Sequence, residues 1–220
     1  MRTWLWRRLY LYLLDHGFLR LLYSNFYRLP GGLYRTNQPT PSQLRRYKKR
    51  YGIKTVFNLR GGNEDNPAWQ LEREACNKLG IKMIDLRLLS RSFPYVEDIQ
   101  AAREAITTAE YPALVHCKSG ADRAGLFSVL YRVFRLGEPV EQASSELGLK
   151  YGHIRWARTG SLDQFLLEYL KDRKRESRHM RLEEWLVTLY DRDRLKRTRP
   201  ERGLLERCSN FLVDRVLKRE

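Results

Sequence analysis

The stretch "ALVHCKSGADRAGL", residues 113–126, ends one apolar run in a thiol and opens the next with a guanidinium six residues later. Such a pattern reads as a strand, a short loop and a helix. The backbone N–H groups of a loop of this kind, with the positive end of the helix dipole behind them, make a cradle of phosphate size. Gly120 lets the backbone bend where a side chain would obstruct. Lys118, Ser119, Gly120, Ala121 and Asp122 would surround the anion, with Lys118 adding charge at the rim. Arg123 would hold two oxygens in a planar fork, which a lysine does less well. Cys117, at the base of the cradle, would present a thiolate, a nucleophile aimed at phosphorus. Asp122 is the odd member, because a carboxylate in an anion site opposes binding unless it is protonated or placed to deliver a proton.

The surrounding sequence supplies elements able to position this loop. Leu33–Arg35 reads as a short strand. Thr40 is a candidate helix cap, with Pro41 in the first turn and Gly52 as the stop. Ile53–Arg60 reads as a buried strand, 67–79 as a helix closed by Gly80, and "IKMIDLRLL" as the next strand. A helix over 96–110, a strand over Pro112–His116 and a helix over 123–136 follow, then helices near 139–147, 161–172, 181–192 and 203–218. One or two helices are expected over residues 3–27, broken at Pro30-Gly31-Gly32. Alternating strands and helices imply an α/β fold: a central, mostly parallel sheet of four to five strands flanked by helices, with added N- and C-terminal helices. Three segments are expected: basic aromatic helices over 1–29, the catalytic-type domain over 30–172, and an Arg-rich helical extension over 173–220. Ligands of such sheets bind at the carboxyl ends of the strands, where Cys117 falls.

Composition narrows the class. The 220 residues are 42% hydrophobic and 12% aromatic, which argues against disorder. Cys76, Cys117 and Cys208 form an odd, widely spaced set that suits a reducing, cytoplasmic compartment. No Cys/His spacing suggests a metal. The net charge of +16 is uneven: residues 1–60 carry +12, residues 61–170 carry −2 and residues 171–220 carry +6. Basic ends of this kind attract anionic partners. The N-terminal 30 residues mix Trp, Tyr and Leu with Arg, and their longest apolar run, Leu9–Leu14, is far too short to span a bilayer. Residues 1–29 suit peripheral contact with the inner face of a membrane, or packing on the domain. The Arg-rich tail mixes in ten acidic residues and matches no nucleic-acid module, which tells against nucleic acid.

The segment Cys117-x5-Arg123, preceded by His116 and with Gly120 inside it, resembles the signature of the protein-tyrosine-phosphatase superfamily. "LYRTNQPTPSQLRRYKKRYGIKTVFNLRG" and "YGHIRWARTGSLDQFLLEY" are similar to the flanking parts of compact bacterial dual-specificity-type phosphatases, so the likeness covers roughly residues 30–170. The resemblance implies a phosphocysteine mechanism with no cofactor: Cys117 attacks, Arg123 and the loop amides hold the phosphoryl oxygens, and water hydrolyses the intermediate. His116 would support the cysteine. Two positions depart from the family. Ala124 replaces the Ser or Thr that aids thiolate release, and the loop "LLSRSFPYVED" starts with Ser90 and Arg91 where the family's acid usually lies. Asp122 is therefore the candidate general acid, with Asp98 and Asp85 in reserve. The alternatives are a hydrogen-bonding role for Asp122, a solvent-facing Asp85, and Glu97 and Asp98 serving a helix first turn.

Two substrate classes fit, phosphotyrosine on a phosphorylated protein and an anionic phospholipid or phosphoinositide, and the basic, aromatic N-terminal segment and Lys118 lean toward the second. A catalytically weak pseudophosphatase, acting as a phosphate-binding or membrane-docking module, is the rival from another class. A rhodanese-type sulfurtransferase fits the Gly and Arg spacing less well.

Overall fold

Thr40 and Gln43 form the reciprocal cap that the sequence suggests. The Thr40 side chain accepts from Gln43 N, and Gln43 Oε1 accepts from Thr40 N at 2.8 Å. This opens α1 (Pro41–Tyr51), which closes at Gly52 in the left-handed region, φ 68°. The computed structural model describes residues 24–176, 179–198, 203 and 209–210. The expected helices over 3–27 and 203–218 lie almost wholly outside the described residues, and of the first span only residues 24–27 are described.

The chain forms two compact units. The first comprises Met1–Arg87 with Thr108–Gly120, and the second Leu88–Thr107 with Ala121–Glu220. The boundary between them falls inside the expected catalytic-type domain.

The first unit carries the sheet: β1 (Tyr27–Arg28), β2 (Leu33–Thr36), β3 (Thr55–Asn58), β4 (Lys82–Asp85) and β5 (Ala113–His116), in the order β1-β2-β5-β3-β4. Only the β1–β2 pair is antiparallel. The two-residue β1 has too short a pattern for periodicity to reveal. β2, β3 and β5 read as continuous buried runs because central parallel strands are covered on both faces. His116, last in β5, is in register with Thr36 on one side and Asn58 on the other, so the chain leaves the sheet between two strand ends. β3 stops short of the expected Arg60 because the Asn58 side chain folds forward, accepting from Arg60 N at 3.0 Å and donating to Gly61 O at 3.1 Å.

α2 (Pro67–Leu79) is capped by Asn66 and stopped at Gly80, φ 62°. Leu44, Tyr47, Ile53, Val56, Cys76, Ile81 and Leu114 form the core between α1, α2 and the sheet. Burial pushes the Cys76 thiol far up, as suits a small core filler, with the Glu72 charge adding to it.

The second unit is helical: α3 (Val96–Thr108), α4 (Asp122–Phe134), α5 (Val140–Ala143), α6 (Ser161–Arg175), α7 (Leu182–Thr188) and α8 (Arg192–Thr198). The helix expected over 181–192 ends at Thr188, and α8 starts afresh at Arg192. Trp185 is fully buried against Phe165, Tyr169 and Tyr190 and donates to Asp172 at 2.9 Å. This aromatic knot fixes Tyr190 and Arg192. Tyr190 Oη donates to Pro94 O at 2.7 Å, and Arg192 donates to Phe93 O at 2.9 Å and stacks over the Tyr95 ring at 3.7 Å. The C-terminal extension thus holds the 92–95 loop.

Candidate active site

Three consecutive carbonyls of the loop after β5 are held from outside by the first unit. Lys118 O accepts from Gln38 N at 3.2 Å, Ser119 O from Asn25 Nδ2 at 2.9 Å, and Gly120 O from Arg35 Nη2 at 2.9 Å. In a planar trans peptide the N–H lies opposite the C=O. Pinning these carbonyls outward therefore turns the amides of Ser119, Gly120 and Ala121 the other way. The Gly120 amide is seen to do this, donating to Cys117 Sγ at 3.2 Å. One loop amide on the sulfur and two more turned by their carbonyls are compatible with the anion cradle expected from the sequence.

Each clamp residue is itself unusual. Arg35 is wholly buried in β2, and Asn25, 4% exposed, has φ 41°, a left-handed conformation that Asn tolerates better than most residues. Gly120 has φ 76°, and a Cβ there would lie 2.7 Å from the carbonyl carbon and oxygen of Thr36 and 2.8 Å from Asn37 N. Only glycine lets the loop lie against the end of β2.

Behind Cys117 runs a buried polar chain. Arg60 Nη1 donates to Gln38 Oε1 at 2.9 Å, Gln38 Nε2 donates to Glu72 Oε2 at 2.5 Å, and Glu72 Oε1 meets His116 Nε2 at 2.7 Å. His116 and Glu72 are 0% and 1% exposed, so the two groups face each other out of water. His116 is thus tied to α2, one residue from the cysteine. Glu72 and Gln38, like Asn25 and Arg35, are functional neighbours that sequence reasoning missed. Glu72 sits among core positions of an amphipathic helix, and only the fold pairs it with His116.

Within the second unit, α4 opens at Asp122 with no side-chain cap from Ala121. Arg123 is half-buried at its second position, and Ala124 is fully buried. Asp122 is 5% exposed, and its Oδ1 lies 2.7 Å from His153 Nδ1, while His153 Nε2 lies 2.7 Å from Asp163 Oδ2. An imidazole flanked at both nitrogens by carboxylates donates from both, which makes it an imidazolium. Burial works against that charge, but the hydrogen bonds and charges of Asp122 and Asp163 outweigh it and raise His153 to about 9. His153, which sequence reasoning passed over, announces itself by no spacing, since 31 residues separate it from Asp122.

These placements bear on the acid candidates. Asp122 is engaged by His153 Nδ1 at 2.7 Å. Asp85 is likewise engaged, accepting from Asn58 at 2.7 Å and Trp69 at 3.0 Å, with Arg73 at 3.6 Å. Asp98 lies in the first turn of α3, where a carboxylate favours the helix dipole. Among the described residues, no group of three or more His, Cys, Asp or Glu is gathered as a metal site, and no helix is long and apolar enough to cross a membrane.

Residues 31–160 match the family described as PTP-NADK, a DSP-PTPase phosphatase fused to NAD+ kinase. The chain belongs to this family. It is a protein-tyrosine-phosphatase superfamily member of dual-specificity type, as the Cys117-x5-Arg123 signature suggests. The chain is 30% identical over 128 residues to the dual specificity protein phosphatase TpbA of Pseudomonas aeruginosa, covering 56% of this chain and 53% of TpbA. It thus spans about half the length of that curated relative. The crystal structure of P. aeruginosa TpbA superposes with a TM-score of 0.50 at 24% identity, over 67% of this chain and 91% of that one. PTPMT1 in complex with PI(5)P gives 0.51 at 17% identity, over 70% and 99%. These likenesses establish the phosphatase-type fold.

Gly120→Ala is expected to destabilise the protein by roughly 2–5 kcal/mol, from left-handed strain plus overlap with the β2 backbone. Urea unfolding measures it, and a loss under 1 kcal/mol would contradict the close packing. His153 predicts a pH dependence. Its folded value lies above the unfolded 6.5, so its contribution is whole below pH 6.5 and is lost as pH rises toward about 9. That loss is on the order of 3 kcal/mol. Unfolding curves from pH 6 to pH 10 should show it in wild type, and His153→Gln should flatten it.

Proposed function

We propose that this chain is a cysteine-dependent phosphatase hydrolysing phosphomonoesters through a phosphocysteine intermediate. The observation that carries this reading is the triple carbonyl clamp, with the Gly120 amide on Cys117 Sγ. Cys117 Sγ attacks phosphorus, the bond to the leaving oxygen breaks, and that oxygen takes up a proton. Water then attacks phosphorus, the S–P bond breaks, and inorganic phosphate and the thiolate are released. Lys118, Ser119, Gly120, Ala121 and the leading turn of α4 surround the phosphoryl oxygens, and Arg123 neutralises their charge.

Phosphotyrosine on a protein is the favoured substrate. Asp122 and Asp85 are both engaged, and a phenol, with a pKa near 10, departs with far less proton assistance than an alkanol. The +12 charge of residues 1–60 supports a second reading, an anionic phospholipid at a membrane surface, and PTPMT1 has been crystallised with such a ligand.

A panel of phosphotyrosyl peptides, phosphoinositides and phosphatidylglycerophosphate decides between them, with peptides expected to turn over faster. Faster turnover of lipids in anionic vesicles would reverse the preference. Cys117→Ser should lower kcat by at least about a thousandfold. Phosphate binding without hydrolysis by the wild type would make the chain a binding module instead. Asp122→Asn should change kcat by the same factor on aryl and alkyl phosphates. A loss confined to alkyl substrates would restore Asp122 as the acid.

A further inference from the structure

The phosphatase reading leaves unexplained why an anion-binding loop carries a carboxylate next to its arginine. Asp122 precedes Arg123 in the first turn of α4 and is buried, so its charge is poorly screened by water. Left alone, such a charge repels an incoming phosphate dianion with a force that a low-dielectric setting magnifies.

The groups acting on Asp122 come from two other segments. His153, between two short helical turns, is 1% exposed and meets Asp122 Oδ1 at 2.7 Å. Asp163, in the first turn of α6, holds the other imidazole nitrogen at 2.7 Å and lies 3.9 Å from the exposed Arg155. His153 is therefore fixed at both nitrogens, with one carboxylate toward the loop and one away from it. The far carboxylate keeps the imidazole charged, and the imidazolium answers the near one. An uncharged donor such as an amide would hold Asp122 equally well but would leave its charge unanswered.

We infer that His153 is a positioning residue of the phosphate site, whose imidazolium, held charged by Asp163, cancels the negative charge that Asp122 would otherwise set beside Arg123. This deepens the phosphatase reading and rests on it. The site then has an alkaline limit of its own. As His153 loses its proton, Asp122 is unmasked and phosphate affinity falls. The raised titration of His153 places that limit near pH 9.

The test is binding of inorganic phosphate, followed by calorimetry from pH 6.5 to pH 10, with folding of each variant checked by circular dichroism. At pH 7, His153→Gln should bind phosphate about tenfold more weakly than wild type. The double variant Asp122→Asn/His153→Gln should recover most of that loss, because both members are then neutral. A merely structural role would give no such rescue. Asp163→Asn should bring the alkaline loss of affinity to lower pH. If His153→Gln binds phosphate as tightly as wild type at pH 7, or if the folded double variant binds no better than the single one, the inference is overturned while phosphatase activity stands. A wild-type protein that neither binds phosphate nor hydrolyses aryl phosphate would overturn both.

Discussion

A planar peptide couples the direction of each amide to that of the carbonyl before it, so whatever holds a carbonyl also aims an amide. The phosphate loop depends on this coupling. Its three carbonyls are held by a backbone amide, a side-chain amide and a guanidinium, drawn from the end of β2 and from the segment just before β1. The sheet register makes this possible, because His116 ends beside Thr36 and the chain must pass the residues that follow Thr36. The Cβ-free backbone of Gly120 closes the remaining gap. Strand order, glycine and clamp thus form one device, in which a change at β2 would be felt as a misdirected amide at the sulfur.

The device is assembled from groups that are costly to bury. Arg35, Glu72, His116, Asp122 and His153 are all nearly inaccessible, and each charge away from water carries a penalty that only good partners offset. Apolar residues of similar volume in those places would serve stability as well or better. Their presence is better explained by orientation and local potential. Arg35 places positive charge beneath the loop, Glu72 ties His116 to α2, and His153 answers Asp122.

How much of this could be read from sequence follows from the range of the interactions. The cap at Thr40–Gln43, the stops at Gly52 and Gly80, the buried strands and the helix after the loop all follow from contacts within a few residues, and they match the structure to within a few positions. The candidate cradle was legible because Cys117, Gly120 and Arg123 lie in one local turn. The residues that aim it were not. Asn25 is 94 residues from Ser119, Arg35 is 85 from Gly120, and His153 is 31 from Asp122. No periodicity links such pairs, and each looks alone like an ordinary polar residue. The partner of Asp122 was hidden for the same reason: with His153 out of view, protonation is the simplest way to tolerate a carboxylate among anion donors.

The 90–95 loop bears on proton delivery. In this chain it begins with Ser90 and Arg91, and its later residues are held by Tyr190 and Arg192 from the C-terminal extension. A loop that must swing an acid toward a leaving group needs freedom to move, whereas one bearing no acid at its start has no such need. The three hydrogen bonds and the cation–π contact at 92–95 therefore go together with the presence of Ser90 and Arg91 in place of an acidic residue. A site that relies on its cradle rather than on a mobile acid favours substrates whose leaving oxygen already carries charge well. On the proposed phosphatase reading, the departures at Ala124, Ser90 and Asp122 share one cause: such a site rests on holding the phosphoryl group and on the local balance of charge.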